Sequence, residues 1–126
     1  MREAYDFLQD ASIWFLATAE RGQPHLRPFG GICLYRDRLY FRTGRSKAVS
    51  RQLHANPRVE LCALRGEEWL RVEGSTVLDD DPQIRAALPA LDERVNPDGA
   101  DTEFWYLRNC TAVLYNNAEP VKTWRF

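Results

Sequence analysis

Three turns in this chain are too short to hold the crossover that parallel strands need. They are Glu20-Arg21-Gly22-Gln23-Pro24, Arg36-Asp37-Arg38 and Gly66-Glu67-Glu68, and each separates two apolar stretches. Gly and Pro punctuate the first of them. Strands joined this tightly run antiparallel. The strands so delimited are residues 12–19, His25–Tyr35 and Leu39–Thr43, then residues 58–65 and 69–78. The apolar run Ile13, Trp14, Phe15 and Leu16 suggests burial on both faces. Pro28 and Gly30-Gly31 imply a bulge, an edge or close approach of something to the backbone.

Helices fall between these strands. Ala4, Phe7 and Leu8 share one face of a short helix over residues 2–9. Ser46 can cap a helix from Lys47 to Ala55 with Ala48, Val49, Gln52 and Leu53 inward, and Asn56-Pro57 ends it. Asp79-Asp80-Asp81-Pro82 starts a third, with Ile84, Ala87, Leu88 and Leu91 apolar and Pro89 expected to shorten or kink it. A polar loop over Asn96–Asp101 leads to strands at Phe104–Leu107 and Thr111–Tyr115, and Val121–Phe126 reads as an extended tail. No regular strand–helix–strand alternation supports a doubly wound sheet. The expected class is mainly β: a closed or partly open antiparallel barrel with helices at its ends.

Composition narrows the function classes. The 126 residues fit one domain over 1–126, long enough to bury roughly two-thirds of the unfolded surface. Lys plus Arg is 17 against 18 Asp plus Glu, without the basic excess of a nucleic-acid binder. Cys33, Cys62 and Cys110 are odd in number and widely spaced, so neither a disulfide framework nor a zinc knuckle is expected. The acidic start, with Glu3, Asp6 and Asp10, is no export signal, and no apolar run is long enough to span a bilayer. A cytoplasmic protein with no membrane or nucleic-acid partner is expected.

The stretch Leu39–Leu53 carries the chemistry. A strand runs through Thr43-Gly44-Arg45-Ser46-Lys47 into a helix, whose start presents unpaired N–H groups and the positive dipole end. Thr43 and Ser46 hydroxyls and the cations Arg42, Arg45, Lys47 and Arg51 surround it. The set suits a phosphate dianion; it equally describes a capped helix with a solvated basic face. The glycine and lysine spacing is not that of a Walker loop. Arg27-Pro28-Phe29-Gly30-Gly31 adds a cation on a strand expected to neighbour Leu39–Thr43. Its glycines either let a planar ring lie against the backbone or form a bulge at a barrel corner. His25 and His54 lack metal-ligand spacing, Asp79–Asp81 is a cap, and Ser46 has no base partner. No metal is expected, and no catalytic side chain is identified.

Taken together, Arg27-Pro28-Phe29-Gly30, Leu39-Tyr40-Phe41-Arg42-Thr43, Ser46-Lys47, Gln52-Leu53 and Asn56-Pro57-Arg58-Val59-Glu60-Leu61 resemble the pyridoxamine 5′-phosphate oxidase-like family of FMN-binding split barrels. Trp69-Leu70-Arg71-Val72-Glu73-Gly74 and the closing Pro120–Phe126 resemble a compact branch of it. The resemblance implies a six-stranded antiparallel split barrel and a homodimer with FMN at the interface. By the same token Arg27, Ser46 and Lys47 would hold the phosphate, assisted by Thr43 and Arg42. Pro28, Phe29, Gly30, Tyr40 and Phe41 would line the ribityl chain and the ring edge. Trp69, Trp105 and Trp124 are the candidates for contact with the ring across the interface. The implied function is an oxidoreductase passing electrons from a donor such as NAD(P)H to a small-molecule acceptor; the alternative is a non-catalytic module holding FMN, haem or a deazaflavin. The extended substrate-binding C-terminus of pyridoxamine-phosphate oxidases has no counterpart before Phe126, which argues against pyridoxal-phosphate synthesis.

Overall fold

A computed structural model describes residues 1–91 and 101–126, with the side chains of Ala90 and Leu91 excepted. The elements are α1 (Arg2–Ala11), β1 (Trp14–Glu20), β2 (Gln23–Phe29), β3 (Cys33–Tyr35), β4 (Arg38–Gly44), α2 (Ala48–Ala55), β5 (Arg58–Arg65), β6 (Glu68–Leu78), α3 (Pro82–Leu91), β7 (Thr102–Asn116) and β8 (Glu119–Arg125). The strands form one antiparallel sheet in the order β2-β1-β5-β6-β7-β4-β3, with β8 also pairing β7. The three short turns make the β1–β2, β3–β4 and β5–β6 hairpins. Arg21, Gly22, Arg36, Asp37 and Gly66 take positive φ in them.

The sheet curls until its two ends approach. The Phe29 ring at the end of β2 lies 5.4 Å from that of Phe41 on β4, edge to face. Trp14 stacks on Phe29 at 4.9 Å. Leu16, Leu61, Leu70, Val72 and Ala112 fill the interior, closed by Phe7 and Leu8 of α1 and by Val49 and Leu53 of α2. A second cluster, Cys33, Tyr40, Ile84, Leu88 and Phe104, lies on the other face of β4 beneath α3. The Tyr40 hydroxyl donates to Asp79 Oδ2 at 2.8 Å, and burial leads in pushing its pKa up to about 12.

Several expectations change. Residues 13–16 are one-sided: Trp14 and Leu16 are buried, whereas Ile13 is 50% and Phe15 39% exposed. Alternation along β1 overrides the continuous apolar run, because successive side chains point to opposite faces. His25–Tyr35 is two elements, not one strand. β2 ends at Phe29, and the Gly30–Ile32 stretch carries the chain to β3, which pairs β4 instead of β1. β2 is an edge strand, which accounts for Pro24 and Pro28. The two late strands are one, β7, with an irregular step opposite Glu73–Ser75. Asn109 takes φ 54° there. A Cβ on Gly74 would meet Cys110 Sγ at 2.5 Å and Arg108 O at 3.1 Å, so the step needs glycine. Burial pushes the Cys110 thiol up to about 11.

The helices match more closely. α1 buries Ala4, Phe7 and Leu8 as expected. Asp81 Oδ1 accepts the Gln83 N–H at 2.9 Å, capping α3. Pro89 lies inside α3, which continues to Leu91, the last residue described before 101. The expected loop at 96–100 and the inward Leu91 side chain lie outside the described residues. α2 starts at Ala48, Ala48 is exposed, and the Ser46 hydroxyl is not its cap. Among the described residues no helix is long and apolar enough to cross a membrane.

Candidate functional site

The seam between β2 and β4 opens into a cavity of about 270 Å³. β2 and the turn after it supply Arg27, Pro28, Phe29, Gly30 and Gly31; β4 supplies Arg42 and Thr43; the start of α2 supplies Lys47 and Val49. β2 and β4 therefore meet as expected, but across an open seam and without a ladder among the described residues.

Arg27 is fixed by three acceptors. Nη1 donates to Leu16 O at 3.2 Å and Thr18 Oγ1 at 2.8 Å, and Nη2 donates to Gln52 Oε1 at 2.5 Å. Thr18 Oγ1 donates in turn to Gln52 Oε1 at 2.5 Å. All three acceptors are neutral. Burial alone acts on the guanidinium, pushing its pKa down, and no carboxylate of the described residues offsets it. The group stays protonated nonetheless, as arginine does in proteins. A partly desolvated cation without a counter-charge attracts an anion.

Thr43 is 6% exposed, and among the described residues its Oγ1 has no hydrogen-bond partner. A buried unpaired hydroxyl costs about 1–3 kcal/mol, and such a group in a native fold calls for an explanation. A ligand in the cavity it lines provides one.

α2 is tied on two sides, which positions Lys47. Gln52 binds the Arg27–Thr18 network of β1 and β2. On the β7 side, Ser50 Oγ donates to Glu103 Oε1 at 2.5 Å and His54 Nε2 donates to Glu103 Oε2 at 3.1 Å. Trp105 Nε1 also donates to Glu103 Oε1, at 3.2 Å. Burial raises the Glu103 pKa, but the hydrogen bonds from Ser50, His54 and Trp105 more than offset it, so the carboxyl stays below its ordinary range.

The other candidates lie apart from the cavity. Ser46 donates its N–H to Asp101 Oδ1 and its hydroxyl to Asp101 Oδ2, each at 3.0 Å. Tyr40 and Phe41 are fully buried, one against α3 and the other beneath Phe29 in the core. Trp69 stacks on Tyr115 at 4.0 Å and donates to Asn117 O. Trp105 is 3% exposed, and Trp124 packs on the core. None of these three tryptophans lines the cavity. Among the described residues no cluster of histidine, cysteine and carboxylate side chains could hold a metal ion.

Sequence reasoning missed Thr18, Asp101 and Glu103. Gln52 was a legible warning: an amide between Val49 and Leu53 on a buried stripe must find partners. Its partners, 25 and 34 residues away, are set by the fold alone.

The Glu103 network generates a pH prediction. A carboxylate with a folded pKa below its unfolded value stabilises the fold above the unfolded pKa, and that contribution is lost as pH falls through the folded pKa. Glu103→Gln is expected to lower unfolding free energy by about 1–3 kcal/mol at pH 7. Urea unfolding at descending pH should show the gap to the parent protein close below the ordinary carboxylate range; a gap that ignores pH contradicts the assignment.

Residues 1–109 match the pyridoxamine 5′-phosphate oxidase family. A NimC/NimA family protein from Clostridium acetobutylicum superposes with a TM-score of 0.89 at 26% identity, over 100% of this chain and 92% of that one. General Stress Protein 26 from Bacillus anthracis gives 0.77 at 18% identity, over 99% and 97%. HutZ, a heme storage protein from Vibrio cholerae, gives 0.64 at 16%, over 85% and 87%. The last two likenesses carry the fold alone. No curated protein matches the sequence. The expected split barrel is thus the observed fold, with eight strand segments among the described residues instead of six because the short β3 and the tail strand β8 join the sheet. The chain belongs to the pyridoxamine 5′-phosphate oxidase family.

Proposed function

We propose that this protein binds FMN and acts as an oxidoreductase, passing electrons from a reduced donor such as NAD(P)H to a small acceptor. The observation that carries the reading is the unpartnered Thr43 hydroxyl in a cavity that Arg27, Arg42 and Lys47 also line. That donor set fits a phosphate dianion, to which each charge-assisted bond is short and strong. Arg27 is locked by its own acceptors, so it presents its charge without rearrangement. Lys47 is exposed and adds a mobile point charge. Pro28 to Gly31 offer a low wall: a Cβ on Gly30 would meet only Ile13 Cδ1, at 3.9 Å, so the missing side chain leaves room beside the backbone. Bound there, FMN would supply the electron-transfer chemistry, and the protein its position and electrostatics. Ser46 would join the phosphate contacts only by exchanging its Asp101 bonds.

A second reading, a non-catalytic FMN module, is favoured by one observation. Among the described residues the cavity lining contains no histidine, cysteine or carboxylate. The same fact disfavours haem held there by an axial ligand from this chain, since His25 and His54 lie elsewhere. A deazaflavin differs from FMN at the ring, which the phosphate contacts do not read.

A homodimer accompanies the proposal. Phe15, Leu26 and Leu64 are 39%, 68% and 63% exposed on β1, β2 and β5. These strands are consecutive in the sheet. Neighbouring exposed apolar side chains of this kind mark association surfaces. Trp69 and Trp124 are part-exposed and keep a face for a partner's ring beside their contacts with Tyr115 and the core; Trp105 is committed to Glu103. A cytoplasmic location remains part of the proposal.

Purified protein supplied with FMN should show flavin absorption and lose it on anaerobic addition of NAD(P)H. Lys47→Ala should raise the FMN dissociation constant about five- to 150-fold, the effect of losing about 1–3 kcal/mol of charged hydrogen bonding. Colourless protein that takes up no FMN contradicts the reading; bound flavin that no reductant reaches replaces it with the non-catalytic one. Sedimentation should find a dimer that Leu26→Asp dissociates, and a parent protein that sediments as a monomer at full flavin occupancy removes the shared site.

A further inference from the structure

The start of α2 already carries an anion. Asp101 receives the Ser46 N–H and hydroxyl on its two carboxylate oxygens, and its carbonyl accepts the Arg45 N–H at 2.6 Å. The carboxylate lies close over Gly44: a Cβ there would come within 2.7 Å of Asp101 Oδ2, so a side chain at residue 44 would require the carboxylate to shift. A cavity of about 180 Å³ lies against it, lined by Arg42, Thr43, Gly44, Lys47, Asp101 and Thr102. Arg42, Thr43 and Lys47 also line the larger cavity. The orphaned Thr43 hydroxyl therefore stands between Asp101 and the proposed phosphate position.

We propose that Asp101 is a resident counter-anion of this site and sets how tightly it holds a phosphate monoester. The inference rests on the phosphate half of the function proposed above and is independent of the flavin half. Two effects act in one direction. Asp101 occupies the Ser46 donors, which a phosphate would otherwise use at a helix start. Its charge also repels a dianion held in the adjoining cavity, an effect that the solvent around the exposed Asp101 screens but does not remove. A ligand must supply further contacts, such as a ring against Phe29 and Gly30, to remain bound. Free inorganic phosphate cannot do so and is turned away.

The test uses three probes on the full chain and on Asp101→Asn, which keeps an acceptor for the Ser46 amide and removes the charge. Inorganic phosphate is followed by the backbone amide shifts of Ser46 and Lys47. FMN and riboflavin are followed by flavin fluorescence. The substitution is expected to tighten phosphate and FMN about tenfold and to leave riboflavin unchanged. Asp101→Ala, which also frees the Ser46 donors, should gain at least as much. Phosphate tightening in a protein that binds no FMN upholds the inference and overturns the flavin reading. Phosphate affinity that stays level or falls in both variants overturns the inference, as does riboflavin tightening as much as FMN.

Discussion

The Arg27 guanidinium sits at the seam of the barrel with three neutral acceptors and no carboxylate among the described residues. Leu16 O and Thr18 Oγ1 belong to β1, and Gln52 Oε1 belongs to α2. One side chain thus joins the β1–β2 hairpin to the helix whose start faces the cavity. Hydrogen bonds from a charged donor exceed neutral ones, but neutral acceptors leave the net charge uncancelled. The same contacts that build the seam therefore leave a positive field in it. A carboxylate in place of Gln52 would brace the helix equally well and abolish that field.

The rest of the site follows from how α2 is held. Its buried stripe alternates apolar and polar groups: Val49 and Leu53 enter the core, while Ser50 and Gln52 reach in opposite directions to Glu103 and Arg27. Held on both sides, the helix keeps Lys47 over the seam. β4 is equally two-sided. Phe41 and Thr43 face the interior, whereas Tyr40 is locked to Asp79 beneath α3. Thr43, at the end of that face, has no hydrogen-bond partner for its hydroxyl among the described residues. Acid–base chemistry is separated from this arrangement, because Glu103 and His54 are committed to tethering the helix and Cys110 is buried with its thiol pKa raised.

Local pattern made the hairpins and the α3 cap legible in the sequence. The residues concerned act through near neighbours: Gly22 and Gly66 turn the chain, Asp81 caps two residues on, and Val59, Leu61 and Ala63 alternate on one strand. Of the four cations read at the α2 start, Arg42 and Lys47 line the cavity, whereas Arg51 pairs with Glu20. What the sequence could not yield depends on closure of the sheet. Ile13 and Phe15 look like core until the barrel fixes which face is inside. Ser46 reads as a helix cap because its true partner, Asp101, is 55 positions away. Tyr40 and Phe41 sit in the motif but point into two different cores, so a shared strand did not mean a shared cavity. The empty hydrogen-bond capacity of Thr43 exists only once every neighbouring acceptor has been placed.

The central claim is that the seam between β2 and β4 is a phosphate seat. A crystal structure of the protein grown with FMN measures it most directly. The phosphate is expected in the cavity, with an oxygen within hydrogen-bonding distance of Thr43 Oγ1 and another within reach of Lys47 Nζ. FMN bound with its phosphate in solvent or at another surface, and Thr43 still unpartnered, would contradict it.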